Sequence, residues 1–175
     1  LGDRLYEELT KRGLKVRAIF LTHAHFDHIW GLDDLKEKTG APVYACIHEK
    51  RVCESPQINQ SIMMGRPCVV SPDIYLEDNE EVTVAGITLK TLHTTGHTEG
   101  SCAYYIEDGH ILISGDTLFE GSVGRSDFPT GDSETLLESI RTRLYTLPED
   151  TTVFSGHGNT TTIGYEKKHN WFVRA

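Results

Sequence analysis

The run Thr22-His23-Ala24-His25-Phe26-Asp27-His28 puts four potential metal ligands into six positions, directly after a short apolar segment. Imidazole nitrogens and carboxylate oxygens are donors that suit zinc and other divalent ions, and two such ions held close together make a nucleophile of water at neutral pH. Residues two apart along a strand point the same way, so a continuing strand lets His23 and His25 share one ion. Asp27 and His28, starting the next turn, address a second. Three further candidates repeat one pattern. His97 follows a strand ending near His93, Asp116 follows Ile111 to Ser114, and His157 follows Val153-Phe154, each beside glycine in Gly96-His97, Gly115-Asp116 and Gly156-His157-Gly158. Glycine lets the backbone turn sharply at a strand end, which brings the four strand ends to one cleft. A lone histidine is more often a surface or hydrogen-bonded group, and His48, His110 and His169 are read that way.

The elements that must position these residues are legible from periodicity. Asp3 to Arg12 predicts an amphipathic helix stopped by Gly13, Val16 to Leu21 a buried strand, and about His28 to Lys38 a second helix closed by Gly40-Ala41-Pro42. Pro42 to Cys46 predicts a strand, and Glu49 to Ser71 a partly helical excursion. Two hairpins follow: Glu80 to His93 around Ala85-Gly86, and Ser101 to Ser114 around Asp108-Gly109. Asp132 to Tyr145 reads as a helix with Asp132 or Ser133 as N-cap, Thr151 to Phe154 as a strand, and Tyr165 to His169 as a closing helical turn. The fold class is α+β.

With 175 residues, 38% hydrophobic and 25% charged, the chain has material for one compact domain over residues 1–175. Its net charge of −9 repels a phosphate backbone, and no apolar run reaches the roughly 18 residues a bilayer span requires. No nucleic acid or membrane partner is expected. Cys46, Cys53, Cys68 and Cys102 form no C-x-x-C pair, and no signal peptide follows Leu1, so reduced thiols in the cytoplasm are expected.

Taken in order, these motifs resemble the metallo-β-lactamase superfamily. Thr95-Gly96-His97-Thr98-Glu99-Gly100-Ser101, Gly115-Asp116-Thr117-Leu118-Phe119 and Gly124-Arg125-Ser126-Asp127-Phe128 are similar to the short, single-domain hydroxyacylglutathione hydrolases of glyoxalase II type. The resemblance runs from Val16 to about Trp171. It implies an αββα sandwich with two divalent ions at one edge, zinc first, with iron or manganese tolerated. His23, His25 and His97 would hold one ion, Asp27, His28 and His157 the other, and Asp116 would bridge them. Asp27 would also act in catalysis by orienting the attacking water, and His93 would support the site from behind.

The implied substrate is a small thioester or ester, glutathione thioesters first. Arg125 and Arg66, with Lys50 and Arg51, are candidates to bind its carboxylates. A mononuclear-iron persulfide dioxygenase using His23, His97 and Asp116 is the alternative, followed by a lactonase or other ester hydrolase. β-Lactam cleavage ranks lower, because an amide leaving group needs a proton donor. Family members carry further strands before the segment that begins here, so a first sheet short of N-terminal strands is expected. The glutathione-binding helical domain of longer glyoxalase II enzymes is not expected, and assembly into a homo-oligomer is left open.

Overall fold

The computed structural model describes residues 2–174. Along the chain run α1 (Gly2–Lys11), β1 (Ile19–Phe20), α2 (Phe26–Ile29), α3 (Leu32–Thr39), β2 (Val43–Cys46), a 3-10 turn (Ile47–Glu49) and α4 (Lys50–Cys53). Then come β3 (Ile74–Leu76), β4 (Glu81–Val84), β5 (Ile87–His93), β6 (Cys102–Ile106), β7 (Ile111–Gly115), β8 (Leu118–Phe119) and β9 (Ser122–Val123). The last elements are α5 (Ser133–Ser139), a π-helical stretch (Ile140–Leu144), β10 (Thr152–Ser155), β11 (Thr161–Thr162) and α6 (Ile163–His169).

Two principal sheets form. The first, ordered β1-β2-β3, is parallel, and the second is ordered β11-β10-β7-β6-β5-β4. Parallel neighbours need crossovers. Residues 21–42 with α2 and α3 join β1 to β2, the excursion after β2 leads to β3, and α5 with its π-helical extension joins β7 to its parallel neighbour β10.

Strand periodicity explains the layering. On β6, Cys102 and Tyr104 join the core between the sheets with Cys46 and Leu76, while Ala103 and Tyr105 join the core under α5 and α6 with Leu112, Leu136, Ile140 and Ile163. On β2, Val43 and Ala45 pack outward with Ile29, Leu32 and Val52, whereas Cys46 faces the other sheet. A strand buried on both faces reads as a near-continuous apolar run, which is what Cys102-Ala103-Tyr104-Tyr105-Ile106 presents. Phe20 stacks on Tyr44 at 4.6 Å and meets Tyr104 edge-on at 5.1 Å, fastening the sheets together. The result is helix, sheet, sheet, helix, the expected αββα sandwich.

Two expectations change, and four short strands join those read from the sequence. The strand over Val16 to Leu21 contracts to Ile19–Phe20, so His23 and His25 lie on a loop and not on a strand, while Asp27 and His28 open α2. The single helix from His28 to Lys38 divides into α2 and α3 at Trp30-Gly31, where α1 crosses close enough that a Cβ on Gly2 would meet the Gly31 carbonyl at 2.2 Å. The short strands β3, β8, β9 and β11 carried too few residues to show a period.

Candidate metal centre

The loop after β1 is bound to the second sheet before it reaches the cleft. Tyr104 donates its hydroxyl proton to the Leu21 carbonyl at 2.8 Å, and the Cys102 amide donates to the Thr22 carbonyl at 2.9 Å. Gly115, at φ +53°, ends β7 against Thr22, where a Cβ would lie 2.5 Å from Oγ1. Only glycine takes that conformation and that approach together, and the next residue is Asp116. His97 follows β5, and His157 follows β10.

Three imidazole nitrogens converge from these segments. His97 Nε2 lies 2.8 Å from His25 Nδ1 and 3.3 Å from His23 Nε2. His97 Nδ1 donates to the Arg125 carbonyl at 2.6 Å, which fixes the proton on Nδ1 and leaves Nε2 with a free lone pair. All three rings are buried. Phe128 closes over them, 5.3 Å from the His25 ring and 6.3 Å from that of His97.

A second cluster stands beside the first, nearer solvent. His157 Nε2 lies 3.1 Å from Asp27 Oδ2, and His28 Nε2 lies 3.7 Å from the same oxygen. Asp116 reaches both clusters: its Oδ2 is 3.5 Å from His157 Nε2 and 3.7 Å from His97 Nε2, and its Oδ1 is 3.5 Å from His28 Nε2. The donor atoms of His23, His25 and His97, of His23, His28 and Asp116, and of Asp27, His28 and His157 each lie within 4.8 Å of one another. All seven ligand candidates read from the sequence therefore meet in one place. Loop backbone, and not the alternation of a continuing strand, aims His23 and His25 at the shared point.

The donors fit divalent cations. His28 Nε2 and Asp116 Oδ1 are buried and have no hydrogen-bond partner, although they face each other. Buried donors left so are costly unless a cation takes their lone pairs. Gly156 passes close by, where a Cβ would come within 2.1 Å of Asp116 Oδ1 and 2.8 Å of the His28 ring. Burial holds His23 well below the usual imidazole range and His25 down to about 3, and it also lowers His28 and His97. The rings are thus neutral, the form that binds metal. Burial pushes Asp116 up to about 6.

These shifts predict how the metal-free protein responds to acid. Unfolded imidazoles take up protons near pH 6.5 while the four buried ones resist, so stability is full above about pH 6.5 and falls as the pH drops below it. Glu49, raised to about 8, and Asp116, raised to about 6, act in the opposite sense and offset part of this, while the half-buried His93, also lowered, adds to the loss. The urea midpoint of EDTA-treated protein is therefore lower at pH 5.0 than at pH 7.0, and an equal or higher midpoint would contradict it.

The remaining candidates have other partners. Arg125 forms a two-pronged pair with the Asp127 carboxylate at 2.9 and 2.7 Å, and its guanidinium lies 4.2 Å from the Phe128 ring centre. Arg66 is exposed, 5.7 Å from the Trp30 ring, and is not among the residues that converge on the cleft. Arg51 pairs with Glu99 at 2.6 Å, and Lys50 approaches Glu54 at 3.9 Å. His93 stacks on His48 at 4.6 Å and bonds the Glu99 carbonyl at 3.1 Å, and His110 pairs with Asp150. Three contributors escaped the sequence: the Arg125 carbonyl, the Phe128 ring and Glu49. Arg125 and Phe128 both lie inside the Gly124 to Phe128 motif and so carried a signal, whereas Glu49 carried none.

The metallo-β-lactamase superfamily model matches residues 2–157. The chain belongs to that superfamily. It is a metallo-hydrolase by that membership. Hydroxyacylglutathione hydrolase GloC of Haemophilus influenzae is 33% identical over 177 residues, 99% of this chain and 84% of that protein. Among solved structures, the BLEG-1 B3 metallo-β-lactamase superposes with a TM-score of 0.94 at 41% identity, covering 99% of this chain and 85% of that one. TTHA1623, solved in a di-iron-bound form, superposes with a TM-score of 0.88 at 35% identity over the same shares. Among the described residues no helix is long and apolar enough to cross a membrane.

Proposed function

We propose that this metallo-hydrolase cleaves small thioesters, glutathione thioesters first, in a single metallo-β-lactamase-like domain. The observation that carries the proposal is the pair of donor clusters joined by Asp116, together with the likeness to GloC. His23, His25 and His97 would hold one divalent ion, Asp27, His28 and His157 the other, and Asp116 would contact both. When bound, two such ions supply a nucleophile from water at neutral pH and polarise the carbonyl under attack. Nitrogen and oxygen donors suit zinc and also accept iron or manganese, and the di-iron form of TTHA1623 keeps iron in view.

The chain's own residues do the rest. Asp27, the more exposed carboxylate beside His157, would hold the proton released as the nucleophile forms. Phe128 covers His25 and His97 and keeps water off that side. A thioester suits this site because its leaving thiolate, with a pKa of about 8.5, departs with little help from a proton donor. All four cysteines are free, which fits a reducing cytoplasm.

Hydrolysis of S-lactoylglutathione by metal-loaded protein tests the proposal, and no turnover with two ions bound would overturn it. β-Lactam cleavage is a second reading, favoured by the 41% identity to BLEG-1. A chromogenic cephalosporin assayed beside the thioester separates the two. Arg125 stands at the rim as the cation for a substrate carboxylate. Because it is exposed and already shared with Asp127, Arg125→Ala raises KM about two- to five-fold with kcat nearly unchanged. An unchanged KM removes Arg125 from substrate binding, and Arg66→Ala, away from the cleft, leaves KM within about 1.5-fold.

A further inference from the structure

Glu49 closes the 3-10 turn after β2 and is 1% exposed. An acidic side chain is almost never so deeply buried without a partner. Its partners here all belong to the loops that carry the three-histidine cluster. Oε1 accepts the Ala24 amide at 2.7 Å, and Ala24 lies between His23 and His25. Oε2 accepts the Thr98 hydroxyl at 2.7 Å, and Thr98 follows His97. Ser101 completes the arrangement, its Oγ accepting the Thr98 amide at 3.0 Å and lying 2.6 Å from Thr98 Oγ1.

No other described side chain hydrogen-bonds both ligand loops at once. The Ala24 amide sits on irregular backbone with no ladder to satisfy it, and the loop carrying His97 comes from the other sheet. We propose that Glu49 is the positioning residue of the three-histidine site, its two oxygens fixing the His23-to-His25 loop against the His97 loop at their observed separation. This deepens the reading of a two-ion centre and rests on it. Groups that orient metal-binding side chains from behind typically contribute about ten- to a hundred-fold in metal affinity. Burial also pushes the Glu49 carboxyl up to about 8, against the bonds that lower it. A neutral amide of the same shape therefore serves the same bonds, accepting the Ala24 amide through Oε1 and donating to Thr98 Oγ1.

The test is titration of metal-free protein with Co(II) against a competing chelator, read as two dissociation constants and as the visible Co(II) spectrum. Glu49→Leu weakens one of the two constants about ten- to a hundred-fold and alters the spectrum, while the other constant stays within about three-fold. Glu49→Gln restores the weakened constant to within about three-fold of the parent. If both constants are unchanged in Glu49→Leu, if both weaken alike, or if Glu49→Gln is as weak as Glu49→Leu, the positioning role is overturned. Should Glu49→Leu fail to fold by circular dichroism, Thr98→Val and Thr98→Ser carry the test. Valine weakens one constant about three- to ten-fold and serine does not, and equal behaviour of the two overturns the proposal. Fewer than two Co(II) ions on the unsubstituted protein overturns the two-ion reading itself, and that result is seen before any substitution.

Discussion

Asp116→Ala lowers the proposed thioester turnover by about 10³-fold or more and leaves fewer than the two proposed ions bound per chain. The size follows from what the carboxylate does in the cleft. Its oxygens lie 3.5 to 3.7 Å from His28, His97 and His157, one from the buried cluster and two from the outer one. Among the described residues it is the carboxylate that lies within 4 Å of donor atoms of both clusters. Without it the buried cluster is three neutral imidazoles with no anionic donor, and the outer one keeps only Asp27 as a charge. Losing a principal stabiliser of developing charge costs about 10²- to 10³-fold in rate, and losing an ion as well adds to that. Elemental analysis of purified protein beside S-lactoylglutathione turnover reads both effects. Asp150→Ala is the control: Asp150 pairs with His110 on the surface, and its loss leaves metal content and turnover within about two-fold. Full metal content and activity in Asp116→Ala would remove the bridge from the account.

Stripping the metals with EDTA lowers the melting temperature by about 8 to 16 °C. Ions present at about a thousand times their dissociation constant stabilise a fold by about 4 kcal/mol, and each kcal/mol moves Tm by about 2 to 4 °C at this chain length. The physical source is local. The centre gathers His23, His25, His28 and His97 with Asp116 in a largely buried cleft, with two facing donor atoms left without a hydrogen-bond partner. A cation satisfies those lone pairs, and its removal restores the cost. The loops stitched around the cleft, from Thr22 to His28 and from Thr94 to Ser101, are the segments expected to loosen first. A calorimetric scan with EDTA, then with added Zn(II), measures the shift and its reversal. A Tm that ignores EDTA in protein known to hold two ions would show that the centre adds nothing to the fold.

The chemistry was the more legible part of this protein. Ligand-bearing side chains are few and of distinctive type, so His23, His25, Asp27 and His28 announce themselves by density, and His97, Asp116 and His157 by standing next to glycine after an apolar strand. The long elements were legible for the same reason of repetition. Alternation around Ala85-Gly86 and Asp108-Gly109 marks the hairpins, and Asp132 does cap α5, accepting the Thr135 amide at 2.8 Å. Two-residue strands such as β8 and β11 hold no period to read, and the break between α2 and α3 falls at Gly31, where α1 packs across in a tertiary contact.

The sequence by itself determined the candidate donors that meet in the cleft, the alternation that builds two buried sheets, and the family. It could do so because side-chain chemistry and hydrophobic period are properties of the chain. Only the tertiary structure decided which nitrogen of His97 is free, because a carbonyl 28 residues away holds the other one. It likewise decided that Asp116 stands between the clusters and that Glu49, in a stretch with no motif, lies buried behind them. Those facts depend on contacts between residues 19 to 49 apart in the chain, closed by folding, and no local pattern encodes a distance across two sheets.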